Sequence, residues 1–195
     1  MIDENECTAV KLPPSLYDSI EKKVVSLYKE CGISSAPIDP FDIASRRGYI
    51  VKPFSSFNRE AQSDFLKLDL DGANCYDPDR ETFVICYDDS KGRERIRFTL
   101  MHEIGHIDMG HREESELARK AADYYAAYAL APSPIIGLKE CEDCMDVARV
   151  FKVSQTCADI CYQRFVNWKR IPAELKPYER ALLGLFRKNK TTQRM

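Results

Sequence analysis

Residues 97–111 read Arg97-Phe-Thr-Leu-Met-His102-Glu103-Ile-Gly-His106-Ile-Asp-Met-Gly110-His111, and the run holds all three histidines of the chain. Histidines four apart on an α-helix lie one above the other, so both imidazoles can grip one ion. The pattern His102-Glu103-x-x-His106 also sets a carboxylate beside that ion, where it can take a proton from bound water. The spacing predicts a metal-binding helix, with His102 and His106 as ligands, Zn2+ as the metal and Glu103 as general base. A plain helix with surface histidines is the alternative. The absence of histidine from every other part of the chain argues against it.

Working outward, Asp88-Asp-Ser90 offers capping oxygens before this helix, and Gly110 is a natural end to it. A second long helix is expected from about Glu113 to Leu130, stopped by Pro132 and Pro134, with Leu117, Ala121, Tyr125 and Tyr128 on its apolar face. Upstream, Leu16, Tyr17, Ile20, Val24, Leu27 and Tyr28 recur at helical spacing between Pro14 and Gly32. Asp39-Pro40 then reads as a cap and first-turn proline of a short helix that Gly48 closes.

The period changes in the middle. Tyr49-Ile-Val51, the alternating Asp64–Leu70 (Leu66, Leu68 and Leu70 on one face) and Thr82–Tyr87 are the expected strands. Turns are expected at Asp71-Gly72 and at Asp77-Pro-Asp-Arg80. Beyond residue 135, Met145–Phe151 and Gln155–Trp168 read as helices joined at Lys152-Val-Ser154, and a last helix follows Pro177.

The expected class is α+β. It comprises N-terminal helices, a small antiparallel sheet of about three strands, the histidine helix packed on a second long helix, and a helical C-terminal extension. Residues 1–135 are expected to form the metallopeptidase-like part, and 136–195 a helical extension of the same compact unit.

The bulk numbers suit a soluble globular chain: 195 residues, 44% apolar, 31% charged, formal charge −2. That charge gives no overall pull toward nucleic acid or membrane. From Arg164 onward there are nine Lys or Arg against two acids, which reads as a solvated basic tail. The helix pair around Lys152-Val-Ser154 has a helix-turn-helix flavour, but direct nucleic-acid binding is not expected from it. No run reaches the eighteen apolar residues of a membrane span, and the acidic start Met1–Cys7 is no secretory signal, so a cytoplasmic location is expected.

Arg97-Phe-Thr-Leu-x-His-Glu-Ile-Gly-His, followed by Ala122-Asp123-Tyr-Tyr-Ala-Ala-Tyr-Ala-Leu-Ala-Pro132, resembles the ImmA/IrrE family of metallo-endopeptidases. Pro37-Ile-Asp-Pro-Phe-Asp-Ile-Ala44 and the Asp-Gly turn before the metal helix fit the same family, over roughly residues 15–165. The resemblance implies zinc, cleavage of a partner protein, and relief of repression by a helix-turn-helix repressor of a mobile element, prophage or stress regulon. One departure stands out. The family's third zinc ligand is a glutamate just before the Ala-Asn/Asp run, and here that position is Ala121.

Candidates for the missing ligand are Asp123, His111 and Glu114, with Glu116 and Asp108 as further options. Counted along a continuous helix, Glu114 lies about 10 Å from Ala121, and Asp123 points to the opposite side. His111 could fold back past Gly110. The third histidine of a metzincin would fall on Arg112 instead. A relative that binds its regulator without cutting it, or a metal-stabilised scaffold, therefore stands beside the peptidase reading.

Cys141-x-x-Cys144 and Cys157-x-x-x-Cys161 have the count and spacing of a small structural zinc site, or else form a set of buried thiols. Cys7, Cys31, Cys75 and Cys86 read as packing residues.

Overall fold

The histidine helix and its partner are the centre of the fold. The computed structural model describes residues 11–67, 70–113, 115–170 and 174–192. Helix α4 (Arg93–Met109) packs on α5 (Glu116–Leu130). Leu100, Met101 and Ile104 of α4 and Ala122, Tyr125, Ala126 and Leu130 of α5 are fully buried. Close approach needs small groups at the crossing. A Cβ on Gly105 would sit 3.0 Å from the Tyr125 ring, so glycine is what lets that tyrosine lie against the α4 backbone. Gly110 caps α4 in the left-handed conformation, φ 69°, as expected of a glycine there.

Around this pair lie α1 (Pro14–Glu30) and α2 (Pro40–Arg46), the latter capped by Asp39, whose side chain accepts from the Phe41 amide. The C-terminal region adds α6 (Ser133–Leu138), α7 (Cys144–Phe151), α8 (Gln155–Arg170) and α9 (Pro177–Thr192). One continuous hydrophobic core runs from Ile20 of α1 through Tyr125 of α5 to Leu182 of α9. Arg97 of α4, only 7% exposed, ties the pieces together by donating to the carbonyls of Ile38, Phe151 and Lys152.

The sheet orders β1 (Ile50–Pro53), β3 (Thr82–Tyr87) and β2 (Gly72–Asp77), with β3 in the centre. β2 and β3 form an antiparallel hairpin, Gly72 opposite Tyr87 and Asp77 opposite Thr82. Its turn is built by Asp77, whose carboxylate accepts from the amides of Asp79 and Arg80.

Several expectations are corrected. The sheet is mixed, because β1 runs parallel to β3, with Ile50 opposite Val84. The connection between them is long enough for the crossover that parallel pairing requires. Asp64–Lys67 belongs to a helix, α3 (Arg59–Lys67), and the remainder of the expected Asp64–Leu70 strand falls partly outside the described residues. Asn58 caps this helix through the Ala61 amide, and Phe65 stacks on Phe54 at 4.1 Å between ring centroids. Gly72 opens β2 rather than closing a hairpin.

The N-cap of α4 is Gly92, without a side-chain bond, while Asp88 turns back onto Ser90. Pro132 and Pro134 do stop α5, yet Pro134 sits in the first turn of α6, where a missing amide costs nothing. Leu117 is 42% exposed and lies off the apolar face of α5.

Candidate active site

His102 and His106, one turn apart on α4, present their Nε2 atoms to each other at 3.0 Å. Each ring is held from behind at Nδ1. For His102 the partner is Asp123 of α5, Nδ1 to Oδ1 2.8 Å. A carboxylate only accepts, so the His102 Nδ1–H donates and its Nε2 faces inward toward His106. For His106 the partner is His111, Nδ1 to Nδ1 3.1 Å. The left-handed turn at Gly110 folds the chain back, and the His111 amide bonds the His106 carbonyl at 3.0 Å. Burial, and next the neighbouring His102 ring, hold the His111 imidazole below its ordinary pKa.

Glu103, the next residue on α4, faces the sheet beside the same cleft and is 7% exposed. Asn74 of β2 donates to its Oε2 at 2.6 Å. Gly72 makes this approach possible. A Cβ there would meet the Thr99 methyl at 2.4 Å and the Cys86 carbonyl at 3.0 Å.

A cleft of about 500 Å³ opens over these groups, lined by Gly72, Phe98, Thr99, His102, Glu103, Arg119 and Asp123, with Asp71 and Arg95 on its rim. Burial works against the Asp71 carboxylate, but Arg95 and Lys91 together hold it below the usual range. Its volume is that of a ligand-binding cleft, and β2, an edge strand, borders it.

The comparison with known families agrees with this geometry. Residues 65–158 match the family model described as Peptidase M78, IrrE N-terminal-like domain. That stretch is similar to the IrrE N-terminal-like domain of the ImmA/IrrE family. No curated protein matches the chain.

The family model is that of a peptidase, and the donors that zinc takes are present on α4. Two imidazole nitrogens on a tetrahedral zinc ion stand about 3.3 Å apart. The Nε2 pair needs to open by only a few tenths of an ångström from its 3.0 Å, and its donors are those zinc takes. The pair fits.

What the IrrE-like domain lacks is a third donor within the described residues, where no group of three or more His, Cys, Asp or Glu side chains is arranged to hold a metal. Ala121 is buried and offers only a methyl group. Asp123, expected to point away, faces α4 but engages the outer nitrogen of His102. His111 folds back as expected, and likewise reaches an outer nitrogen. Asp108 is occupied elsewhere, accepting from the Tyr125 hydroxyl at 2.5 Å and pairing with Arg47. Glu116 pairs with Lys120. Glu114 lies outside the described residues. Because α5 begins at Glu116 after its cap Ser115, the distance counted along a continuous helix from residue 114 does not apply.

The cysteines divide instead of forming one centre. Cys157 and Cys161 of α8 are 4.0 Å apart, with Cys161 also donating to the Ala127 carbonyl, while Cys144 bonds Asp159. Asn74 is the site residue that sequence reasoning missed. A lone asparagine in a short strand carries no signal of its own; only the pairing of β2 against β3 brings it to Glu103.

Proposed function

We propose that this chain is a zinc-dependent endopeptidase that cuts a helix-turn-helix repressor in the cytoplasm and so relieves repression. One observation carries the reading: two inward-facing histidine nitrogens 3.0 Å apart, with a buried glutamate one residue on that is held at 2.6 Å by Asn74. The repressor comes from the family resemblance. Among the described residues, no helix is long and apolar enough to cross a membrane.

His102 and His106 would hold the ion through Nε2, with Asp123 and His111 fixing the rings from outside. The third ligand is left open among the sequence candidates Asp123, His111 and Glu114, the last of which lies outside the described residues. When bound, zinc supplies Lewis acidity, polarising a peptide carbonyl and bringing the pKa of water toward about 7.

Glu103 takes the water proton and delivers it to the leaving amine. Its burial and the Asn74 bond keep the carboxylate in one orientation during both transfers. The outer edge of β2 can accept an extended substrate segment by strand addition, laying it across the cleft in front of Glu103.

The buried Ala121, standing where the family has its ligand, favours a second reading in which the chain captures the regulator without cutting it. Glu103→Gln separates the two. The change is nearly isosteric, so the peptidase account expects zinc-loaded parent to cleave a helix-turn-helix repressor, and the variant to capture but not cut it. A variant that cuts at the parent rate overturns the role of Glu103. Capture by both proteins, with cleavage by neither, establishes the second reading.

A further inference from the structure

Three aromatic side chains cross the sheet in one row beside the β2–β3 turn. Tyr76 of β2 stands opposite Phe83 of β3 with ring centroids 5.3 Å apart, and Tyr49, just before β1, lies 5.7 Å from Phe83. Both contacts are edge-to-face, an arrangement that aromatic pairs favour. The row stops at Tyr76, because β2 is the edge strand. Tyr76 is 52% exposed, so a large ring stands half in water where the sheet ends.

The backbone of that edge has a defined register. Side chains alternate along a strand, so Gly72, Asn74 and Tyr76 share one face. It is the face turned to α4, because Asn74 reaches Glu103 and Gly72 abuts Thr99. The Asp88 amide donates to the Asp71 carbonyl at 2.8 Å, which makes this a hydrogen-bonded pair. Such pairs alternate along an antiparallel ladder, so they recur at Ala73, Cys75 and Asp77. The N–H and C=O groups of Gly72, Asn74 and Tyr76 therefore point away from β3, toward the outer edge.

We propose that Tyr76 is a specificity-determining residue, receiving a large apolar or aromatic side chain of the substrate and extending the aromatic row onto an added strand. The inference rests on the endopeptidase reading above and narrows its substrate class. A residue opposite Tyr76 on an added strand brings its Cβ to within about 5 Å, on the same face. Gly72 has no side chain and Asn74 is committed to Glu103, so of the three outward positions Tyr76 is the one that reads a side chain. Antiparallel pairing is the slightly more stable direction. In that direction the residue opposite Tyr76 precedes the one opposite Asn74. Asn74 and Gly72 flank Glu103, which sets the apolar residue within about four positions on the N-terminal side of the cut bond.

The test uses the zinc-loaded full chain, its Tyr76→Ala and Tyr76→Phe variants, and a proteome-derived peptide library with cut sites read by mass spectrometry. The expected result is enrichment of Phe, Tyr, Trp, Leu or Met at one position before the cut, lost in Tyr76→Ala and kept in Tyr76→Phe. On a well-cut peptide, Tyr76→Ala should raise KM by about twofold to tenfold with little change in kcat. Alanine at the enriched position of the peptide should cause a similar loss, and the two losses should not add. Cutting without an apolar preference before the bond, or with one that Tyr76→Ala leaves intact, overturns the proposal and spares the peptidase reading. A chain that cuts no peptide overturns that reading, and the subsite is then read by selecting phage-displayed random peptides on parent and Tyr76→Ala chains. Aromatic enrichment that needs Tyr76 upholds the subsite. Captured peptides without it, or no captured peptides, overturn the subsite as well.

Discussion

Asp123 of α5 lies 2.8 Å from Nδ1 of His102 on α4, so the second long helix braces the metal face of the first. The carboxylate fixes the ring of His102 and turns its Nε2 toward His106, and in this arrangement Asp123 is an orienting group rather than a ligand. Asp123→Ala should then lower zinc affinity by about tenfold to a hundredfold while one zinc per chain still binds at saturation. Its side chain is 51% exposed, so stability should stay within about 0.5 kcal/mol of the parent. Competition against a chelator of known affinity measures the first, and urea unfolding of the metal-free chain the second. Complete loss of zinc would make Asp123 a ligand.

Asn74 does for Glu103 what Asp123 does for His102. Asn74→Leu removes a hydrogen bond to a charged group, worth about 1.5–3 kcal/mol, and lets the carboxylate turn. The expected consequence is a kcat lower by about tenfold to a hundredfold with KM within twofold. A change confined to KM would assign Asn74 to substrate binding instead.

Gly72 is the point where β2 touches α4. With the Thr99 methyl 2.4 Å and the Cys86 carbonyl 3.0 Å from an added Cβ, Gly72→Ala must push strand and helix apart. A cost of about 1–3 kcal/mol is expected from overpacking, together with reduced cleavage, because the Asn74–Glu103 bond crosses the same gap. Chemical unfolding and an activity assay on the same preparation check both. An unchanged midpoint would show that the sheet gives way more easily than the packing implies.

Glu21 sets a pH dependence of folding. Burial raises its carboxyl pKa above the ordinary value near 4.5, against the pull of the Tyr124 and Tyr178 hydroxyls. The folded chain then binds this proton more tightly than the unfolded one. The stability it contributes is present below about pH 4.5 and is lost as pH rises through the raised folded value. Glu21→Gln cannot titrate, so unfolding free energies measured from pH 4.5 upward should fall more steeply with pH in the parent than in the variant. Parallel profiles would mean that the hydroxyl bonds offset the burial.

The parts of this fold that were readable in the sequence are those set by local chemistry. Asp39-Pro40 capped α2, Gly110 closed α4, Asp77 built the hairpin turn, and Thr82–Tyr87 formed β3 as its β-branched and aromatic content implied. The histidine spacing likewise placed both imidazoles on one side of α4. What stayed hidden depends on partners far along the chain. Leu66, Leu68 and Leu70 alternate like a strand, but the Asn58 cap and the Phe54–Phe65 stack draw residues 59–67 into a helix. Parallel pairing of β1 with β3 follows from a crossover that no local pattern announces. Asp123 was assigned to the wrong side because its direction depends on how α5 lies against α4, which a single helix cannot reveal.

The central claim is that His102 and His106 hold a zinc ion. Elemental analysis of purified parent and His102→Ala chains, side by side, tests it most directly. About one zinc per parent chain and none in the variant is the predicted result. Zinc absent from both would contradict the peptidase account and favour a regulator-binding protein, and zinc retained in both would place the metal away from α4.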